Sequence, residues 1–288
     1  MTLPPVESHA ESWDLIIKPN RGWFDIPYRE IFRYRDLIFL FVKRDFVTFY
    51  KQTILGPLWY IIQPLVNSVV FTIIFSNVAN IPTDGIPPFL FYMAGTVAWA
   101  YFAACLTATS NTFVMNREIF GKVYFPRMIV PISIVITGLF QFFIQFVIFI
   151  GFLLYFWYQG AQVAPTVMIL TLPLILLQMA VLGLGMGILI SSLVTKYRDL
   201  TLAMSFAVQI WMYLTPVVYP LTQVPERYRN LYVLNPMVSI VESFRGMFLG
   251  VTSIEPNHIL VSMLVTVGIF FTGVVLFSRI ERTFMDTV

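Results

Sequence analysis

Glu242 and Arg245 stand three residues apart, a spacing that puts both on one face of a helix, where a carboxylate and a guanidinium can pair. They follow the breaker Asn235-Pro236, and with Glu226 they are the candidate acid and base groups of the stretch 217–255, which also carries Arg227, Arg229 and Glu255. In a segment that dips into a membrane both charges are costly unless paired or wetted, which suits a buried pair with a role in that segment. The alternative is a solvated surface pair worth little. Other chemistry is sparse. His9, His258 and the single cysteine, Cys105, form no recognisable metal set, and no HExxH, GxSxG or paired-Asp motif is present. Gly121-Lys122 is the only Gly-Lys pair, and it lacks the earlier glycine and following hydroxyl of a nucleotide loop. Any ATP-driven work therefore needs another chain.

The elements that must position these residues are membrane spans. Of 288 residues 58% are apolar, 17% aromatic and only 11% charged, and the stretches 52–83, 85–116 and 128–195 contain no Asp, Glu, Lys or Arg. A hydrocarbon core of about 30 Å takes about 20 apolar helical residues. The chain is thus expected to be an all-α integral membrane protein with six spans, at 58–78, 88–109, 130–157, 166–194, 200–213 and 259–277. Six spans put both ends on one side, and that side carries fifteen of the 18 Lys and Arg, which places both termini in the cytoplasm. Basic residues beside spans are explained by topology and anionic headgroups, so no nucleic-acid partner is expected. The N-terminus contains Glu7, Glu11 and Asp14 and does not read as a signal peptide.

Residues 1–26 form a polar extension with no assigned structure. From 27 to 51, Ile31, Tyr34, Ile38 and Phe41 recur at helical spacing while Arg29, Arg33, Asp36, Lys43 and Arg44 take the other face, which predicts a helix lying flat on the membrane. Residues 52–288 form the six-span domain. Within it, the uncharged piece 230–241 reaches only about 18 Å as a helix and is broken at Asn235-Pro236. The stretch 217–255 is therefore read as two short helices that dip in from outside and return, or as an external amphipathic loop.

The spans offer aromatics: Phe71, Phe75, Trp99, Tyr101, Phe102, Trp211, Tyr213 and Tyr219. Such rings can stack on sugar faces along a translocation path, or pack against lipid and neighbouring helices. Gly183, Gly187 and Ser191 share a face, with Gly185 beside them, and suit close helix packing inside one subunit in preference to a dimer seam.

The run Tyr50-Lys51-Gln52-Thr53-Ile54-Leu55-Gly56-Pro57-Leu58-Trp59 with Gln63-Pro64 resembles the start of the first span in polysaccharide-exporting ATP-binding-cassette permeases. Lys122-Val123-Tyr124-Phe125-Pro126-Arg127, Tyr197-Arg198-Asp199, and Asn235-Pro236 with Glu242 and Arg245 follow in the same order. The resemblance implies a homodimer in the bacterial inner membrane, working with two copies of a separate ATPase and moving lipid-linked polysaccharide such as O-antigen, capsule or teichoic acid. It implies ATP and Mg on that ATPase, with no cofactor or metal bound by this chain. It also implies a coupling helix at 116–124, with Asn116, Glu118, Lys122 and Tyr124 facing the ATPase. Arg44 and Lys51 would stand at the cytoplasmic entrance, and 217–255 would form the external gate around Glu242 and Arg245. Competing readings are a membrane-embedded glycan ligase or acyltransferase, and an exporter of drugs or simple lipids. The polar extension departs from the shortest members of that family.

Overall fold

The computed structural model describes residues 28–51, 56, 58–194, 197, 199–251 and 254–287. The polar extension 1–26 lies outside them, as do parts of the motifs at 50–59 and 197–199. Of the described residues 82% are helical and none is in a strand. The amphipathic stretch is two helices, α1 (Tyr28–Arg33) and α2 (Arg35–Lys51), separated by a turn at Tyr34 where one continuous helix was expected.

The first apolar stretch is α3 (Leu58–Phe71), continued by a π turn over Thr72–Val78. Pro64 sits inside α3 and can donate no backbone bond, and its carbonyl accepts instead from Ser68 Oγ at 2.7 Å. Helix α4 (Pro88–Ser110) follows, then the short α5 (Thr112–Met115) and α6 (Arg117–Lys122), and α7 (Ile129–Tyr158). A 3-10 turn at Val167–Thr171 leads into α8 (Leu172–Val194), and α9 (Leu200–Tyr213), α10 (Glu226–Val233), α11 (Pro236–Leu249) and α12 (Pro256–Thr287) complete the chain.

Among the described residues five helices are long and apolar enough to cross a membrane: Leu58–Val78, Pro88–Ser110, Ile129–Tyr158, Val167–Val194 and Pro256–Ile280. The expected sixth, α9, has 14 residues and reaches about 21 Å, short of a hydrocarbon core of about 30 Å. It ends just ahead of Thr215-Pro216, where the proline ring disfavours helical geometry in the residue before it.

Helix α4 is the pillar of the fold. In its apolar window 78% of residues are buried, against 17–28% in the other four crossing helices. An apolar face in a membrane can meet either lipid or protein, and that of α4 meets protein, because α3, α7, α8 and α11 cover it. The glycine face of α8 makes that closeness possible. A methyl carbon added at Gly183 would lie 2.8 Å from Cys105 Cβ, and one at Gly187 would lie 2.5 Å from Thr109 Cβ. Gly185 faces the other way, onto the backbone of Phe270 in α12. The small-residue face is thus consumed by packing within the subunit.

Candidate functional site

The charged pair is carried by α11, whose ends are well specified. Asn235 caps the helix by accepting from Met237 N at 3.1 Å, Pro236 fills the first turn where no amide donor is needed, and Gly250 takes the left-handed conformation (φ 79°) that stops it. Every residue from Pro236 to Leu249 is buried. An external loop in water would leave one face wet, and α11 leaves none.

Within this helix Arg245 is 1% exposed and Glu242 4%. Arg245 Nη1 lies 3.1 Å from Glu242 Oε1 and also donates to the Pro216 carbonyl at 2.5 Å, while Nη2 donates to the Val217 carbonyl at 2.6 Å. The guanidinium carbon sits 3.6 Å from the centre of the Phe91 ring on α4. Beneath it is Gly95, where an added methyl would come 2.7 Å from Nη2. The solvated-pair alternative therefore does not describe Glu242 and Arg245. One guanidinium satisfies a carboxylate, caps the carbonyls just past α9 and stacks on an aromatic of α4.

The other end of α11 reaches the same turn. Asn235 Nδ2 donates to Thr215 Oγ1 at 3.0 Å, so α11 holds the end of α9 at both Asn235 and Arg245. Ser262 Oγ of α12 donates to the Pro236 carbonyl at 3.0 Å and accepts from Gln178 Nε2 of α8 at 2.7 Å. Tyr219 Oη donates to the Tyr213 carbonyl at 3.0 Å and lies 2.7 Å from Tyr232 Oη, which ties α10 to the end of α9. Thr222 Oγ1 donates to Asp84 Oδ1 at 3.1 Å and brings in the turn after the first crossing helix. Phe91, Gly95, Gln178 and Ser262 were not singled out from sequence. A lone mid-helix glycine such as Gly95 was the one available signal.

The eight aromatics do not form one stripe. Phe71 and Phe75 pack on Tyr92, each ring 6.3 Å away. Trp99 and Phe102 pack on Trp211, at 6.3 and 5.2 Å. Tyr101 packs on Phe142 at 5.7 Å and donates to the Val135 carbonyl at 3.3 Å. Tyr101 and Phe102 have no exposed surface, because α4 is covered by neighbouring helices, and they offer no face to a sugar. Tyr213 is exposed and Tyr219 half-buried.

At the other end of the bundle, the expected coupling helix 116–124 is shorter: α6 stops at Lys122, and Val123 is extended (φ −132°, ψ 131°). Asn116 occupies the turn between α5 and α6, its Nδ2 donating to the Thr112 carbonyl at 3.0 Å. Phe120 is the buried underside, set in a nest with Phe113 at 5.9 Å and Phe125 at 5.8 Å, and Phe125 meets Phe41 of α2 at 5.7 Å. Glu118 and Lys122 are exposed and form no ion pair with each other among the described residues, and Tyr124 is 64% exposed. A charged knob thus rests on an aromatic base that continues into α2. Arg44 pairs with its neighbour Asp45 (Nη2 to Oδ1 2.7 Å) and lies over Phe41, and Lys51 is exposed at the end of α2. Among the described residues no group of His, Cys, Asp or Glu could hold a metal ion.

Comparison with known proteins matches residues 36–249 to the family described as ABC-2 type transporter. The O-antigen export system permease protein RfbA of Klebsiella pneumoniae is 27% identical over 254 residues, 87% of this chain and 94% of its own length. The protein of the same name from Myxococcus xanthus is 26% identical over 263 residues, 90% of this chain and 98% of its own. The polysialic acid transport protein KpsM of Escherichia coli is 22% identical over 253 residues, 85% and 93% of the two chains. With the family match running from α2 through the end of α11, the chain belongs to the ABC-2 type transporters.

Proposed function

We propose that this chain is the permease subunit of an ATP-driven exporter that moves lipid-linked polysaccharide, O-antigen in particular, from the cytoplasmic leaflet across the bacterial inner membrane. The observation that carries the reading is similarity over 94–98% of the length of O-antigen export permeases from two organisms. A bundle of long apolar helices and the lack of a nucleotide loop in the sequence support it. In this reading the chain performs no catalysis. Two permease subunits form the conduit, two copies of a separate ATPase bind ATP and Mg, and both termini face the cytoplasm.

The knob of half-buried Asn116 with exposed Glu118, Lys122 and Tyr124 is the coupling surface. Its aromatic base on Phe120 gives it the rigidity to pass a push from the ATPase into α2 and the bundle. The buried Arg245 lock ties α11 to α4 and to the end of α9, and serves as the hinge of the external gate. Deleting the gene should remove surface polysaccharide and leave drug sensitivity unchanged. Complementation with the wild-type gene should restore the polysaccharide, whereas Glu118→Lys with Lys122→Glu should leave it missing while the protein remains at normal abundance in the membrane. Normal surface polysaccharide in the deletion strain would overturn the functional reading. Full rescue by the charge-reversed variant would remove the knob from the coupling surface.

A further inference from the structure

Between Leu172 and Ile190 helix α8 carries a single side chain with N–H or O–H groups, Gln178. It sits six residues past the start of the helix, about 9 Å along the axis, and is 7% exposed. An amide in such apolar surroundings is costly unless its hydrogens are used. They are used on α12, where Nε2 donates to Ser262 Oγ at 2.7 Å and to Thr266 Oγ1 at 3.4 Å.

The two acceptors differ in where they lead. Thr266 Oγ1 donates to the Ser262 carbonyl at 2.8 Å, within its own helix, so that branch ends on α12. The amide nitrogen of Gln178 can only donate, so Ser262 Oγ must accept there, and its one proton goes to the Pro236 carbonyl, 3.0 Å away at the start of α11. Ser239 Oγ adds a second tie from α11 to α12, donating to the His258 carbonyl at 3.2 Å. Asn235, joined to Pro236 by a peptide bond, donates to Thr215 Oγ1 at 3.0 Å, just past the end of α9. Hydrogen bonds thus run in one line from α8 through α12 and α11 to the end of α9. No residue of α9 is buried, so the bonds at its end weigh heavily in placing it.

We infer that Gln178 is a positioning residue of the external gate: acting through Ser262 it fixes where α11 begins and, through Asn235, where α9 ends. Arg245 holds the same turn from the other half of α11. Thr266 ties α8 to α12 and stops there, whereas Ser262 carries the tie on to the gate. The inference rests on the reading of 217–255 as that gate, and it requires no particular glycan.

Amide hydrogen exchange of the full chain in lipid nanodiscs, followed by peptide mass spectrometry, tests it. Gln178→Met keeps the length of the side chain and removes its donors, and Ser262→Ala removes the hydroxyl. Each should speed exchange at 214–217 and 237–240 by up to about tenfold, the worth of one net hydrogen bond, and leave α4 as in the wild type. The double variant should add nothing beyond the larger single effect, because both residues act on one path. Thr266→Val, which removes the branch confined to α8 and α12, should leave 214–217 and 237–240 unchanged. Gel filtration verifies that each variant is folded; if Gln178→Met does not fold, Ser262→Ala carries the same prediction. Wild-type exchange at these positions in a folded Gln178→Met or Ser262→Ala would overturn the inference. An equal rise in Thr266→Val would also overturn it, by reducing Gln178 to a tie between α8 and α12. Exchange is read without export, so failure here is distinguishable from failure of the functional reading.

Discussion

Replacing Arg245 with alanine is expected to cost about 3–5 kcal/mol of stability and to abolish export, because it strands a buried carboxylate. Glu242, only 4% exposed, would lose the cation that offsets its desolvation. The Pro216 and Val217 carbonyls would lose donors at 2.5 and 2.6 Å at the same time. Arg245→Lys should recover only part of the loss, since one ammonium cannot reach two carbonyls and a carboxylate while lying over Phe91. From sequence, the exchange Glu242→Arg with Arg245→Glu is expected to restore part of the export if the two act as a simple pair. The geometry predicts no rescue: the new carboxylate would face two carbonyl oxygens and the electron-rich face of Phe91. Thermal melting of the purified variants in detergent, beside surface polysaccharide in complemented cells, reads both effects. Wild-type melting for Arg245→Ala, or full recovery in the exchanged pair, would show that the lock does not bear on the fold.

Gly187→Leu is expected to produce the second large loss. Its first side-chain carbon alone would lie 2.5 Å from Thr109 Cβ and 2.7 Å from Thr109 Cγ2, so α4 and α8 must separate along their contact. Overpacking of this kind costs about 1–3 kcal/mol, and a long side chain at a helix crossing belongs at the upper end. Gly187→Ala should be milder, and Thr109→Gly in the same chain should partly rescue it by removing the obstructing side chain. Gly185→Ala should resist any such rescue, because the obstacle there includes the Phe270 backbone at 2.7 Å. A dimer seam on this face would give the opposite pattern, with changed oligomeric state and unchanged melting of the subunit.

The contrast between these two positions shows what local spacing can and cannot reveal. The crossing helices were legible because charges and prolines bracket apolar runs, and α3 with its π turn occupies the range 58–78 read from the charge gaps. The glycine face was legible as a face, since i and i+4 positions align on any helix, but its partners Cys105 and Thr109 were not. Arg245 shows the same limit more sharply. Its partner Glu242 was near in sequence, whereas the two carbonyls it caps lie 28 and 29 residues upstream and its stacking ring lies on another helix. Burial of Tyr101 and Phe102 could not be read from their type, because it follows from the central place of α4 among its neighbours. Helix α9 was read at its observed length, yet periodicity carries no information on how a helix of about 21 Å is set against a thicker membrane.

If this chain is a conduit for lipid-linked glycan driven by a separate ATPase, a reconstituted system should show the flux. The chain would be placed in proteoliposomes with its co-purified ATP-binding subunit and a radiolabelled lipid-linked O-antigen, and transfer between leaflets followed by protection from an added glycosidase. Transfer is predicted only when the chain, the ATPase and Mg-ATP are all present, and the chain alone should hydrolyse no ATP. Absence of transfer by the complete, folded complex while its ATPase turns over, or ATP hydrolysis by the chain alone, would contradict the account.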